Sequence, residues 1–376
     1  MRAYRAPGRI NLIGEHTDYN DGFVMPVAID RRTAVTARAR GDRRLAAVSS
    51  AFSAAAEMSL DDLGGAPSGS WSDYVRGVAA VLERHGHRLQ GADLAIESDV
   101  PPGAGLSSSA ALEVAVGYAL LDLAGIAVDL TALARACQEA EQEFAGTRCG
   151  IMDQFIACHG RAGHAMLLDT RTLAATFVPL PADVAIVVGN TMTRHALASD
   201  GYNERRADCE AGVRALAVRL ARIRALRDVT FADLEANADV LSERVYRRCR
   251  HVVTENARTL SAADALRDGD LARFGVLMGA SHASLRDDYD VSTPELDAMV
   301  EAGMEHGAIG ARMTGGGFGG CTVNLVAADR AAQFARDLAQ GYEARTGRVP
   351  EIYTCRTSSG VETLSDTLKR VTTKSE

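Results

Sequence analysis

Apolar positions recur along the chain at two spacings, and the order of the segments they mark sets the fold class. A short apolar run over residues 9–13 stops at Gly14 and reads as a strand, as does 92–97. Residues 71–84, 107–124 and 130–144 carry apolar side chains three and four apart and predict helices. Strands are expected again over 165–168, 176–180 and 184–188, followed by a strongly helical stretch from 199 to 305. The segments 308–313 and 321–326 then alternate around glycines like the strands of a hairpin. Segments mixed in this order make an α+β chain. At 376 residues it is too long for one ordinary core, so two domains closing around a cleft are expected, 1–180 and 181–376.

Composition narrows the class of partner. Hydrophobic residues at 47% and charged residues at 24% fit a globular protein, and no apolar run approaches the ~18 residues that span a bilayer. Neither a membrane nor an exported location is expected, because residues 1–8 lack the apolar stretch of a signal peptide. Seven scattered cysteines, never spaced Cys-x-x-Cys, predict free thiols in a reducing cytoplasm. The net charge of −8, with no basic block interleaved with aromatics, argues against nucleic acid and for a small-molecule partner. A monomer is the expected state. The only lysines, Lys369 and Lys374, lie at the far end, so the chemistry cannot use a buried catalytic lysine.

Five polar or glycine-rich stretches interrupt this pattern. Residues 99–111 place a glycine-rich turn before a helix apolar nearly all round, where unpaired N–H groups and the dipole favour an anion such as phosphate; serines that merely cap the helix are the alternative. No lysine follows the glycines, so this is not a Walker loop. Glu141 falls on the apolar stripe of its helix with Leu130, Leu133, Ala134, Cys137 and Phe144, whereas Glu139 and Glu143 turn to other faces. An inward carboxylate there either meets an arginine or holds the cation that a triphosphate needs. Asp153, in the first turn of an apolar helix, is either a dipole partner or a carboxylate that takes a proton from a substrate hydroxyl. Residues 8–22 end a strand in a dense polar cluster in which Glu15 and Asp18 suit neighbouring sugar hydroxyls; a polar turn is the alternative, and His16 lacks the partners of a metal site. Five glycines within 315–320 exceed the needs of a hairpin and predict close backbone approach to a ligand.

Taken together, these stretches resemble the three motifs of the small-molecule kinase family shared by galactokinase, homoserine kinase and mevalonate kinase, the GHMP kinases, over most of the chain. Residues 8–20, 190–206 and 281–289 are similar to the galactokinase branch of that family. The resemblance implies two α+β domains with the active site between them, and transfer of a phosphoryl group from ATP, with Mg2+, to the anomeric hydroxyl of galactose. Asp153 matches the catalytic aspartate, which also meets the sugar, and Arg9 the arginine beside it. Glu15, His16, Asp18 and Tyr202 match sugar contacts, with Thr17 in the same segment. Gly103, Ala104, Gly105, Leu106, Ser107, Ser108 and Ser109 match the phosphate loop, and Ser109 and Glu141 the magnesium ligands. Trp71 matches a position near adenine, or is an ordinary core residue. Two other readings share these motifs: a kinase for a related sugar such as N-acetylgalactosamine, and a sensor of sugar and ATP without catalysis. Such sensors lack part of the serine run, which is complete here. Relatives carry a longer segment before the first motif, so a shorter or more open edge to the sugar pocket is expected.

Overall fold

The computed structural model describes residues 1–194 and 198–364. Residues 195–197 of the 190–206 stretch and both lysines therefore lie outside the described residues. In the first half, β1 (Arg2–Asn11), β2 (Phe23–Val24), β3 (Pro26–Ala39), β4 (Arg44–Ser49) and β5 (Phe52–Ser59) precede helix α1 (Ser72–Arg84) and strand β6 (Ala92–Ser98). Helices α2 (Ser108–Leu123), α3 (Leu130–Ala140) and α4 (Met152–His159) follow, then β7 (His164–Asp169) and β8 (Ala175–Pro179). Strand β9 (Val184–Arg194) leads into α5 (Ala198–Leu216), α6 (Phe231–Ala236), α7 (Glu243–Arg267), α8 (Leu271–Asp287) and α9 (Pro294–Glu305). The chain closes through β10 (Gly310–Thr314), β11 (Gly319–Ala327), α10 (Ala331–Thr346), β12 (Glu351–Cys355) and β13 (Glu362–Leu364).

Three sheets organise these elements: β13-β1-β3-β6-β4-β5, β10-β11-β9-β12 and β2-β7-β8. Among the described residues all strand pairings are antiparallel except β4 with β6, and helices pack on the sheets, which is the α+β arrangement. Strands on either side of residue 180 lie in different sheets, but β13 returns to the first, where Leu364 pairs with Ala3. Helices α1 to α4 bury Val75, Val78, Val114, Leu120 and Leu133 against Val35, Ala37, Leu45 and Leu94 of the six-stranded sheet. A second apolar cluster joins Ile10, Leu12, Val27 and Ile29 to Val188 and Val323 of the four-stranded sheet and to Phe274 of α8. At about 1.5–3 kcal/mol for each fully buried large apolar side chain, this shared cluster fixes the end of β1 against the second sheet.

The hairpin of β10 and β11 lies where its alternation placed it, with Met313 opposite Thr322. The third predicted helix differs. It ends at Ala140 and widens into a π turn, Glu141–Ala145, closed by Gly146 at φ 74°. Here Phe144 lies against α1, where a Cβ on Gly77 would stand 2.9 Å from its ring, and the wider turn keeps both Phe144 and Glu141 facing inward. The apolar pattern marks none of β2 to β5 and no element after β11: β3, β4 and β5 are rich in alanine, which gives little apolar contrast, and β2 and β13 are only two and three residues long. Among the described residues no helix is long and apolar enough to cross a membrane, and no disulfide joins the cysteines.

Candidate active site

Arg9, near the end of β1, is brought under the loop that follows β6. Its backbone N–H donates to the Leu106 carbonyl at 3.0 Å and its Nη1 to the Gly105 carbonyl at 2.5 Å. The rest of the guanidinium grips Asp153 in the first turn of α4, Nε to Oδ1 at 2.7 Å and Nη2 to Oδ2 at 2.6 Å. Ser107 Oγ adds a third donor, 2.7 Å from Oδ2. A fork of this kind fixes a carboxylate in both position and plane. The arginine is 6% exposed, while the aspartate side chain keeps 24% of its surface open, towards a polar cavity of about 190 Å3.

Glu15, His16, Asp18, Glu141 and Tyr202 also line that cavity; Thr17 does not. The Thr17 hydroxyl is taken up by the Gly14 and Phe23 carbonyls, so it ties the turn. Glu15 is held by protein donors on both oxygens: Asn11 Nδ2, Arg312 Nη1 at 3.3 Å, Thr314 Oγ1 at 3.3 Å and the Gly315 N–H at 2.5 Å. Burial pushes its carboxyl above the usual range and Arg312 opposes the shift. His16 sits at φ 63° with both ring nitrogens engaged, so neither is left for a metal. Because the Gly316 carbonyl can only accept, Nε2 carries the hydrogen and Nδ1 accepts from Tyr19, whose oxygen faces the Tyr289 hydroxyl at 2.8 Å. Burial holds this imidazole well below its usual value, hence neutral. Asp18 opens the short turn Asp18–Asn20 and fits only because residue 150 is glycine: a Cβ there would lie 2.1 Å from Oδ2. Burial first, and the charge of Asp153 second, push its pKa up to about 7.

The phosphate-loop candidate divides its residues between two jobs. Ala104 and Leu106 are buried in the second apolar cluster and anchor it, while Gly103, Gly105 and Ser107 take φ values of 66°, 79° and 64° and turn the chain into α2. Ser107 does not cap the helix, since its hydroxyl is spent on Asp153; the first turn of α2 has no side-chain cap. The glycines of 315–320 approach this loop rather than a ligand alone. A Cβ on Gly315 would be 2.9 Å from the Gly105 carbonyl oxygen, and one on Gly320 3.1 Å from that of Ala104. On the far side of the loop, Trp71 stacks on Phe52 with centroids 5.7 Å apart and planes 5° apart. Half-buried, it lines an apolar cavity of about 220 Å3 with Phe52, Tyr74, Gly103, Ser108 and Ser109. Glu141, on the wall of the polar cavity, stands next to Ser109 on the wall of the apolar one. It is 8% exposed, accepts from Gln154 Nε2 at 2.6 Å, and hydrogen-bonds the Ser109 side chain. Burial, then the charge of Asp153, pushes it up to about 7. A carboxylate and a hydroxyl beside an anion-seeking helix end are the hard oxygen donors that Mg2+ takes when phosphates complete its shell. Among the described residues no cluster of three or more His, Cys, Asp or Glu forms a metal site from protein alone.

The galactokinase galactose-binding signature matches residues 2–39, the GHMP kinases N-terminal domain residues 73–161, and the GHMP kinases C-terminal region residues 262–344. Galactokinases of Roseiflexus sp. and Chloroflexus aurantiacus are each 51% identical to this chain, over 96% of its length and 93% of theirs. The chain belongs to the galactokinases of the GHMP kinase family. A crystal structure of Lactococcus lactis galactokinase complexed with galactose superposes with a TM-score of 0.93 at 39% identity, covering 96% of this chain and 95% of that one. A mevalonate kinase at TM-score 0.65 and 18% identity shares the fold.

Three parts of this galactokinase site left no mark in the sequence reading. Arg312, with no solvent exposure, holds Glu15 from β10. Glu255 of α7 accepts the Gly14 N–H at 3.0 Å and the Ser281 hydroxyl at 2.5 Å, and so fastens the turn after β1. Cys149 lines the cavity with its thiol 3.7 Å from Glu141. Arg312 stands just before the glycines of 315–320, Glu255 in no stretch that the sequence singles out, and their partners are some 240 to 300 positions away in the chain.

Proposed function

We propose that this galactokinase-family chain transfers the γ-phosphoryl group of MgATP to the anomeric hydroxyl of α-D-galactose, giving galactose 1-phosphate and ADP. The observation that carries the reading is Asp153, fixed by Arg9 and Ser107 at the wall of a small polar cavity with the glycine loop alongside. Oδ2 already accepts from Arg9 and Ser107, whereas Oδ1 accepts from Arg9 alone, so Oδ1 has a lone pair left for the anomeric hydroxyl and its proton. Asp18 and Glu15 hold sugar hydroxyls on the other walls, with Tyr202 and neutral His16 shaping the pocket. The uncapped N–H groups of α2 and the turn of Gly103 to Ser109 cradle the phosphates, and the apolar cavity at Trp71 takes the base.

Ser109 and Glu141 are the residues that would hold Mg2+. When bound, the ion supplies neutralisation of phosphate charge, the main demand of phosphoryl transfer. The cavity takes residues from both 1–180 and the remainder. An ADP-release assay over a panel of hexoses tests the reading. Galactose should be the preferred acceptor, with glucose and N-acetylgalactosamine turned over far less well. Preference for N-acetylgalactosamine, or no ADP with any sugar despite binding, would replace it.

A further inference from the structure

Glu113 is outside both cavities and holds none of the site residues directly. It stands one turn beyond Ser109 on α2, fully buried on a helix otherwise packed with alanine, valine and leucine. An apolar residue of similar volume would suit that position at lower cost. Its Oε2 accepts from Gln154 Nε2 at 3.1 Å, and the same Nε2 donates to Glu141 Oε2 at 2.6 Å. Gln154 is also fully buried and follows Asp153 directly. Glu113 Oε1 and Gln154 Oε1 have no hydrogen-bond partner.

The two bonds use the two hydrogens of one amide. An amide facing Glu141 alone has a second arrangement, rotated by half a turn, in which its oxygen confronts the carboxylate and pushes it aside. With acceptors on both sides, only the arrangement with nitrogen between them is bonded. Burial, together with the charge of Glu141, holds the Glu113 carboxyl well above the usual range. We infer that Glu113 is a positioning residue which, by fixing the orientation of the Gln154 amide, sets the Glu141 carboxylate for the divalent cation of the nucleotide. The inference rests on the assignment of Glu141 to that cation.

Glu113→Leu removes the acceptor at similar volume; Glu113→Gln keeps a carbonyl in its place. Binding of Mg2+ with a non-hydrolysable ATP analogue, followed by calorimetry, should weaken about ten-fold in Glu113→Leu and stay near wild type in Glu113→Gln. Galactose affinity without nucleotide should be unchanged in both. Gln154→Leu should show the same loss, and the double variant no further loss. Unchanged cation binding in Glu113→Leu, while Glu141→Gln loses it, overturns the inference and leaves Glu141 as the ligand. If Glu141→Gln also binds as wild type, the assignment of Glu141 falls and the inference with it. Should Glu113→Leu fail to fold, Gln154→Leu carries the test: a ten-fold loss supports the link and wild-type affinity overturns it.

Discussion

Behind Asp18 the backbone of Gly150 comes so close that no side chain fits between them. The carboxyl is thereby held where water reaches it poorly and Asp153 repels its charge, and its pKa rises to about 7. The raised value means that the folded chain prefers the neutral acid. Above pH 7 the charged form costs stability relative to the unfolded chain; the cost fades as pH falls through 7 and is gone below the ordinary carboxylate value. Binding has the opposite need, since a charged acceptor holds sugar hydroxyls better. Asp18→Asn should therefore raise the melting temperature at about pH 8 and weaken galactose binding by about 1.5–3 kcal/mol, with ATP affinity unchanged. Wild-type affinity for galactose, measured without nucleotide, should fall from about pH 8 to about pH 6 while the variant stays flat. Equal losses for both ligands would make Asp18 a structural residue. Asp18 could be singled out in the sequence because a dense polar cluster ends the first strand, and Asp153 because a carboxylate opens an otherwise apolar helix; a polar turn and a dipole partner were the alternatives. Ser107 was not separable from Ser108 and Ser109, since only the turn at Ser107 aims its hydroxyl at Asp153.

Among the elements, α2 shows how a local motif takes its meaning from its neighbours. A serine before a helix usually caps it, and its loss then costs about 1 kcal/mol of stability. Here the hydroxyl at that position is turned away from the helix. Ser107→Ala should leave denaturant stability within about 0.5 kcal/mol of wild type yet lower kcat, since it removes one of the three donors that fix Asp153. A stability loss near 1 kcal/mol with normal kcat would restore the capping role. The predicted helix over 130–144 placed Glu141 inward correctly, but not the π turn that begins at this residue. Periodicity reports which face is buried. It does not report a one-residue change of pitch imposed by the fit of Phe144 against Gly77.

Over the whole molecule, the α+β class and the helix-rich second half could be read from apolar spacing. The return of β13 to β1 could not, because a three-residue strand carries almost no pattern and its partner lies at the other end of the chain. The same holds for the site. Its motifs were visible one at a time, but the apolar cluster that brings the end of β1 to the second sheet depends on contacts between distant segments. That closure places Arg9 and Asp153 opposite Tyr202 and the 315–316 backbone around one cavity. We propose this cavity as the place of phosphoryl transfer to galactose, with Asp153 as proton acceptor. Turnover and binding by Asp153→Asn test it most directly, because the amide keeps the shape of the side chain but cannot take the proton. With the base removed, kcat should be lower by about 10²–10⁴-fold, with galactose and ATP still bound in calorimetry. Phosphorylation of galactose at a rate near wild type would contradict it.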